Sequence, residues 1–149
     1  MKRRKALTTE RKSDVIDYLK EFVEQIKIRL ELECVILYGS RARGDYQPHS
    51  DIDLMVIGNF DKPFFDRADY IYEKYNWNWG MDVLCYTPEE FEVQFKKGVV
   101  SALDSIYEGI CIYGESFFKK YRDKLKILKS RGLRKDPPVW ILPKSMTLD

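Results

Sequence analysis

The stretch GSRARGDYQPHSDID, residues 39–53, decides the fold of this chain. An apolar run, residues 35–38, leads into it, and a second apolar run, residues 54–57, follows it. Short apolar runs bounded by turn residues are typical of buried strands. The stretch therefore predicts a strand, a tight turn, a polar loop and a second strand that begins with two carboxylates.

The turn that opens this stretch has the residue types of an anion site. Gly39 lacks a Cβ and lets backbone amides approach an anion closely. We expect Ser40 to cap a short helix that runs to about Arg43, because free N–H groups at a helix start attract phosphate oxygens. Arg41 and Arg43 supply forked cationic donors that match phosphate geometry. We therefore expect residues 39–43 to hold the triphosphate of a nucleotide.

A pair of carboxylates closes the stretch. Residues two apart on a strand face the same side, so Asp51 and Asp53 project together while Ile52 points into the core. Two carboxylates at this spacing repel each other unless a cation lies between them, and oxygen ligands beside phosphate favour Mg²⁺. A two-metal site needs a third carboxylate, and Asp82, just before the apolar run 83–86, is the best candidate. We predict that these three aspartates hold two Mg²⁺ ions.

The rest of the chain alternates between helical and strand patterns. We predict helices from Thr8 or Thr9 to about Leu32, from Pro63 to about Tyr75, over Pro88–Glu108 with a break at Gly98, and after Gly114, and strands over Val35–Tyr38, Ile52–Ile57, Trp79–Tyr86 and Ile110–Tyr113. This order predicts an α/β domain with a small mixed sheet flanked by helices.

The last residues differ in composition, so we divide the chain into a domain, residues 1–135, and a proline-rich apolar tail, residues 136–149. Prolines exclude a regular helix there. The segment Val139–Leu142 is too apolar to stay in water without cost. The tail is therefore expected either to fold back on its own domain or to dock on a partner or a second copy of the chain.

Composition bounds the class of protein. At 149 residues, with 44% hydrophobic and 34% charged residues, the chain is expected to form one globular domain. No apolar stretch is long enough to span a membrane, and the basic start is followed by polar residues 8–12 instead of an apolar core. These features predict a cytoplasmic protein. Its three cysteines are an odd number, which argues against a disulfide framework and favours reduced thiols.

Charge distribution leaves one question open. The net charge of +2 is too small to imply nucleic-acid binding by itself. Basic residues nevertheless cluster in residues 119–124 and continue to residues 134–135. We favour an amphipathic helix with a solvated basic face. The alternative is a docking face for an acidic partner or RNA.

The ordered motif resembles a known family. Gly39-Ser40, a ten-residue gap and Asp51-Ile52-Asp53 are similar to the signature of the DNA polymerase beta-type nucleotidyltransferases. The form Gly-Ser-Arg-Ala-Arg-Gly, followed by Ser-Asp-Ile-Asp-Leu, most resembles the minimal nucleotidyltransferases, the MNT group. Asp82 stands where that family carries its third metal-binding carboxylate. The whole ordered set is far more specific than a lone Gly-Ser or Asp-x-Asp.

The resemblance implies an activity and a partner. The MNT group transfers a nucleoside monophosphate, usually AMP from ATP with Mg²⁺. Many members are antitoxins that neutralise an all-helical HEPN toxin by adding AMP to one of its tyrosines. Applied to this chain, the resemblance implies that Asp51, Asp53 and Asp82 bind metals, and that Gly39, Ser40 and Arg43 hold the triphosphate.

Two other functions stay open. One is the same chemistry on a small hydroxyl compound such as an aminoglycoside. The other is a non-catalytic antitoxin that silences its partner by contact alone, against which the intact aspartates count. An oligomer of the chain is also compatible with the sequence.

Overall fold

The computed structural model describes residues 12–77 and 79–148. In chain order the elements are α1 (Lys12–Ile26), β1 (Leu32–Tyr38), α2 (Ser40–Arg43), β2 (Ile52–Gly58), α3 (Arg67–Lys74), β3 (Met81–Tyr86), α4 (Pro88–Lys96), α5 (Val100–Tyr107), β4 (Ile110–Tyr113), α6 (Glu115–Ser130), β5 (Arg134–Asp136) and β6 (Val139–Ile141), and a 3₁₀ turn, Phe64–Asp66, precedes α3. Four strands form a mixed sheet in the order β3-β2-β1-β4, and β5 pairs with β6. The predicted α/β class, with a small mixed sheet flanked by helices, is confirmed.

Strand pairing brings the polar side chains of three strands to one edge of the sheet. β1 is antiparallel to both β2 and β4, whereas β2 is parallel to β3. Tyr38 at the end of β1 therefore pairs with Asp53 near the start of β2, and Asp53 pairs with Asp82 near the start of β3. Directly paired residues point to the same face, so these three side chains form a row across three strands.

Alternation along the strands creates two cores. Leu37 pairs with Leu54, and both lie in the apolar cluster that contains α1 and α3. Ile36 pairs with Met55, and both lie in the cluster that contains α4, α5 and α6. All four side chains are fully buried, so the sheet is covered on both faces. The carboxylate row continues the second face at its open edge.

The first helix ends earlier than its pattern predicts. The expected cap at Thr8 or Thr9 lies outside the described residues, and α1 ends at Ile26 instead of about Leu32. β1 also begins at Leu32, three residues earlier than predicted, because Leu32 pairs with Gly58. The amide of Asn59 then donates to the carbonyl of Glu31 at 2.9 Å. Pairing with β2 therefore overrides the helical periodicity of these residues.

The helical region after β3 follows its local signals. Thr87 caps α4 in a capping box, since its hydroxyl accepts from the amide of Glu90 and the Glu90 carboxylate accepts from the amide of Thr87. The predicted break at Gly98 is confirmed, because that residue has φ +72° and separates α4 from α5. β4 has the predicted bounds and lies at the edge of the sheet.

The tail folds back on its own domain, which was one of the two expected arrangements. β5 and β6 form a hairpin, and Trp140 on β6 is only 8% exposed within the second core. The Trp140 indole Nε1 donates to Asp104 Oδ1 on α5 at 2.8 Å. Lys135 on β5 donates to the same oxygen. The hairpin is therefore attached through one carboxylate of α5.

Two predictions from composition can be compared with the structure. Cys34 and Cys85 are buried, Cys111 is half-buried, and all three are free thiols, as expected. Among residues 12–77 and 79–148, no helix combines the length and the apolar character that crossing a bilayer requires.

Candidate active site

A row of polar side chains occupies the open edge of the sheet. The row consists of Tyr38, Asp53 and Asp82 on adjacent strands. Asp51 immediately precedes β2 and lies two residues before Asp53, so it is placed on the same face. Asp51 and Asp82 are exposed, whereas Asp53 is half-buried. The structure therefore assembles the three predicted aspartates at one accessible edge.

Two glycines make room for these carboxylates. A Cβ at Gly39 would overlap Asp53 Oδ2, and a Cβ at Gly80 would overlap Asp51 Oδ1. Gly39 also has φ +75°, a conformation that residues with a side chain rarely adopt. The carboxylates of Asp51 and Asp53 are thus packed directly against backbone, and any larger residue at these glycines would displace them.

The charge state of Asp53 reflects its surroundings. The pKa of Asp53 is raised to about 6, first by burial and then by the charges of Asp82 and Asp51, while the charge of Arg43 lowers it. Burial, followed by the charge of Asp53, also raises the pKa of the Tyr38 phenol. Both shifts therefore follow first from burial and second from the nearby carboxylates at this edge.

The turn between β1 and the polar loop forms a four-residue helix, α2. Its N-cap is Gly39, and no side chain caps it, so the prediction that Ser40 caps this helix is wrong. The reason is that Gly39, which adopts a positive φ at the end of β1, already supplies the carbonyl that accepts from the amides of Ala42 and Arg43. Ser40 is the first helical residue and directly follows Gly39, which packs against Asp53.

Arg43 lies where a phosphate contact was expected. Its side chain is 44% exposed, and its Nη1 donates to Glu108 Oε2 at 2.7 Å. Its Nε donates to Asp45 Oδ2 at 3.1 Å. The hydrogen bond that Arg43 donates to Glu108 is the main cause that raises the pKa of Arg43. The guanidinium is therefore both accessible and held on two sides.

Arg41 has a different environment from the one expected. It is 1% exposed, and its Nε and Nη2 donate to the carbonyl of Ser50 at 3.1 and 3.0 Å. Its guanidinium also lies 4.4 Å from the ring centre of Tyr46 and donates to the carbonyl of Pro48 at 3.3 Å. Instead of a phosphate contact, the structure shows Arg41 holding the loop of residues 45–50 that delivers Asp51.

Sequence reasoning did not find three residues of this edge. Glu108 follows α5 and pairs with Arg43, which is 65 positions away in sequence. Asp104, one turn earlier on α5, carries the tail hairpin and also raises the pKa of Tyr38. For Tyr38, the sequence pattern predicts a strand position but no role in the site. No local motif marks these positions, because their roles arise from strand pairing and helix packing.

The three aspartates can be compared with the ligands that a Mg²⁺ ion requires. Within residues 12–77 and 79–148, no three His, Cys, Asp or Glu side chains converge closely enough to hold a metal ion. Mg²⁺ in nucleotide sites needs only one or two carboxylates, with phosphate oxygens and water completing the octahedron. Asp53 and Asp82, in register on adjacent strands, with Asp51 beside them, fit that requirement.

Comparison with known proteins agrees with this geometry. The family model described as nucleotidyltransferase domain matches residues 16–106. The chain belongs to this family. The match includes the turn, the loop and the three aspartates Asp51, Asp53 and Asp82, so the resemblance seen in the sequence is confirmed for the nucleotidyltransferase domain. It ends before Glu108 and the tail hairpin.

Curated relatives of the nucleotidyltransferase domain come from Methanocaldococcus jannaschii. One, named as a candidate protein adenylyltransferase, is 47% identical over 45 residues, which cover 29% of this chain and 45% of that protein. The chain thus spans about half the length of this relative. Another of the same name is 26% identical over 125 residues, which cover 76% of this chain and 82% of that protein.

Among solved structures, the nucleotidyltransferase domain is similar to a candidate nucleotidyltransferase from Sulfolobus solfataricus. The TM-score is 0.49 at 24% identity, and the match covers 67% of this chain and 80% of that chain.

Proposed function

We propose that this nucleotidyltransferase domain transfers AMP from ATP, with Mg²⁺, to a hydroxyl group, and that the acceptor is a tyrosine of a HEPN-type toxin. The observation that carries the transfer is the row of Asp53 and Asp82 beside the Gly39 turn and Arg43. The names of the curated relatives support AMP transfer to a protein. The HEPN-type partner rests on the resemblance of the motif to the MNT group.

The chain's own residues have distinct roles in this proposal. Gly39 and Ser40 present backbone to the triphosphate, and Arg43 offers its exposed guanidinium to phosphate oxygens. Asp51, Asp53 and Asp82 would hold two Mg²⁺ ions, with phosphate oxygens and water as the remaining ligands. When bound, these ions supply neutralisation of the charge that develops on the triphosphate. Arg41 takes no phosphate and instead keeps the loop in place.

The reaction itself is a phosphoryl substitution. The acceptor oxygen forms a bond to the α-phosphorus, the bond from that phosphorus to the β-bridging oxygen breaks, and pyrophosphate leaves. Asp82, exposed at the start of β3, takes the proton of the acceptor hydroxyl. The contribution of the protein is mainly the positioning of reactants and the neutralisation of charge.

The first experiment is transfer of label from α-³²P-ATP with Mg²⁺ in a lysate of the native host. The wild-type chain is compared with Asp51→Asn/Asp53→Asn, which keeps shape but removes two metal-binding charges. Asp17→Asn, an exposed position on α1, is the matched control. We expect one labelled protein band with the wild type and with the control, and a reduction of at least about 100-fold with the double variant.

The identity of the band decides the acceptor. A labelled helical protein that carries AMP on tyrosine by mass spectrometry supports the full proposal. Label in small molecules only would replace the toxin with a small hydroxyl acceptor. No label and no pyrophosphate release, with neutralisation of a partner intact in the double variant, would instead establish a non-catalytic binder.

A further inference from the structure

Glu108 is placed at the active-site edge by the end of α5. Its amide donates to the carbonyl of Asp104 at 2.9 Å, which makes Glu108 the C-cap of that helix. The next residue, Gly109, is so tightly packed that a Cβ there would overlap the carbonyl of Ser105. Only 9% of the Glu108 side chain is exposed. The backbone that carries this carboxylate is therefore fixed by its surroundings.

The carboxylate reaches across the fold to the phosphate turn. Glu108 Oε2 accepts from Arg43 Nη1 at 2.7 Å, a short charge-assisted hydrogen bond. Asp45 accepts from Nε of the same guanidinium at 3.1 Å. These two bonds fix the guanidinium plane and do not use Nη2. The charges of Arg43 and Glu108 both act on Asp53, which places the pair beside the carboxylate row.

We propose that Glu108 is a positioning residue for nucleotide binding, which acts by orienting Arg43 toward the phosphates. This inference rests on the proposed function and extends it to a residue outside the matched family segment, residues 16–106. Arginine has many rotamers, and a free guanidinium must lose them when it binds phosphate. A guanidinium already held on two edges has lost that freedom before ATP arrives, so more of its binding energy appears as affinity.

The test compares two uncharged replacements of similar length. Glu108→Gln keeps an oxygen that can accept from Arg43, whereas Glu108→Met does not. Both remove the same negative charge, so any general electrostatic effect on a triphosphate is common to them. The probe is α,β-methylene ATP with Mg²⁺, and the equilibrium dissociation constant is measured by calorimetry, which needs no turnover.

We expect Glu108→Met to bind the analogue about tenfold more weakly than Glu108→Gln, as the loss of one hydrogen bond to a charged group predicts. In the Arg43→Ala background the two replacements are expected to bind equally, because Glu108 then has nothing to orient. Thermal melting of each variant verifies folding. If Glu108→Met does not fold, Glu108→Ser, which is also uncharged, replaces it.

Two outcomes would overturn the inference: equal affinities of the Gln and Met variants with Arg43 present, or a difference that persists without Arg43. If α-labelled ATP still transfers AMP in either case, the proposed function stands. If the wild-type chain binds no nucleoside triphosphate and transfers no label, the proposed function fails as well.

Discussion

The surroundings of Asp53 favour binding of a cation, and they make its ionised carboxylate unfavourable in the metal-free folded protein. It pairs with Asp82, follows Asp51, and lies within the influence of Glu108, with Arg43 as the nearby cation. Sequence periodicity was enough to place Asp51 and Asp53 on one face, because strand geometry alone fixes that relation. It could not find Glu108, because the contact of Glu108 with Arg43 depends on how α5 packs over the sheet.

Asp53→Asn is expected to stabilise the metal-free protein at neutral pH. The pKa of Asp53 is raised from 3.8 to about 6 on folding, so the folded state binds the proton more tightly. The stability linked to that proton is present at acid pH and is lost as pH rises through about 6. Allowing for solvent screening at this half-buried site, we expect a gain of about 1–2 kcal/mol at pH 7.5, shrinking toward pH 4.5.

Urea unfolding in EDTA at the two pH values measures this difference. Asp17→Asn, on the solvent face of α1, is the control and is expected to change nothing. Equal stability of wild type and Asp53→Asn at pH 7.5 would show that Asp53 is not strained by its neighbours.

At the scale of elements, boundaries set by local sequence signals were predicted correctly, whereas boundaries set by strand pairing were not. The helix start at Pro88 and the break at Gly98 depend on signals within a few residues, and both predictions are confirmed. The end of α1 and the start of β1 were misplaced, because Leu32 pairs with Gly58 only in the folded sheet. The tail hairpin was also missed, since its short strands gain stability only by packing on α5 and α6.

Trp140→Ala tests whether the hairpin is part of the domain. The Trp140 ring is buried in the second core and contacts the ring of Tyr107 at 5.0 Å between centroids. Its removal leaves a cavity and removes one hydrogen bond to Asp104, so we expect a loss of about 3–5 kcal/mol in the free energy of unfolding. Val139→Ala, on the same strand but 51% exposed, is expected to cost less than about 0.5 kcal/mol. Urea titration of both variants makes the comparison, and equal costs would mean that the hairpin is not anchored by its indole.

At the scale of the molecule, the strands of the sheet are what the two apolar cores share within the part of the chain that the structure describes. The core with α1 and α3 includes Trp77 at its rim, and the core with α4, α5 and α6 includes Trp140. Both cores are built from alternate residues of the same strands, so neither can lose its packing without exposing the sheet that supports the other. This architecture predicts that the candidate active-site edge, which lies on the second face, depends on both layers.

Cooperative unfolding follows from that shared sheet. The chain has three tryptophans, so variants that keep only Trp77 or only Trp140, with phenylalanine at the other two positions, report one core each. For each variant, the unfolding transition in urea is followed by tryptophan fluorescence and by far-ultraviolet circular dichroism, and both signals are converted to fraction unfolded. We expect the two curves to coincide in both variants, as in a two-state domain. An earlier transition at Trp140 would instead mean that the tail and its helices unfold as a separate unit. In that case the shared sheet would not couple the two cores, and the tail hairpin would belong to the unit formed by α4, α5 and α6.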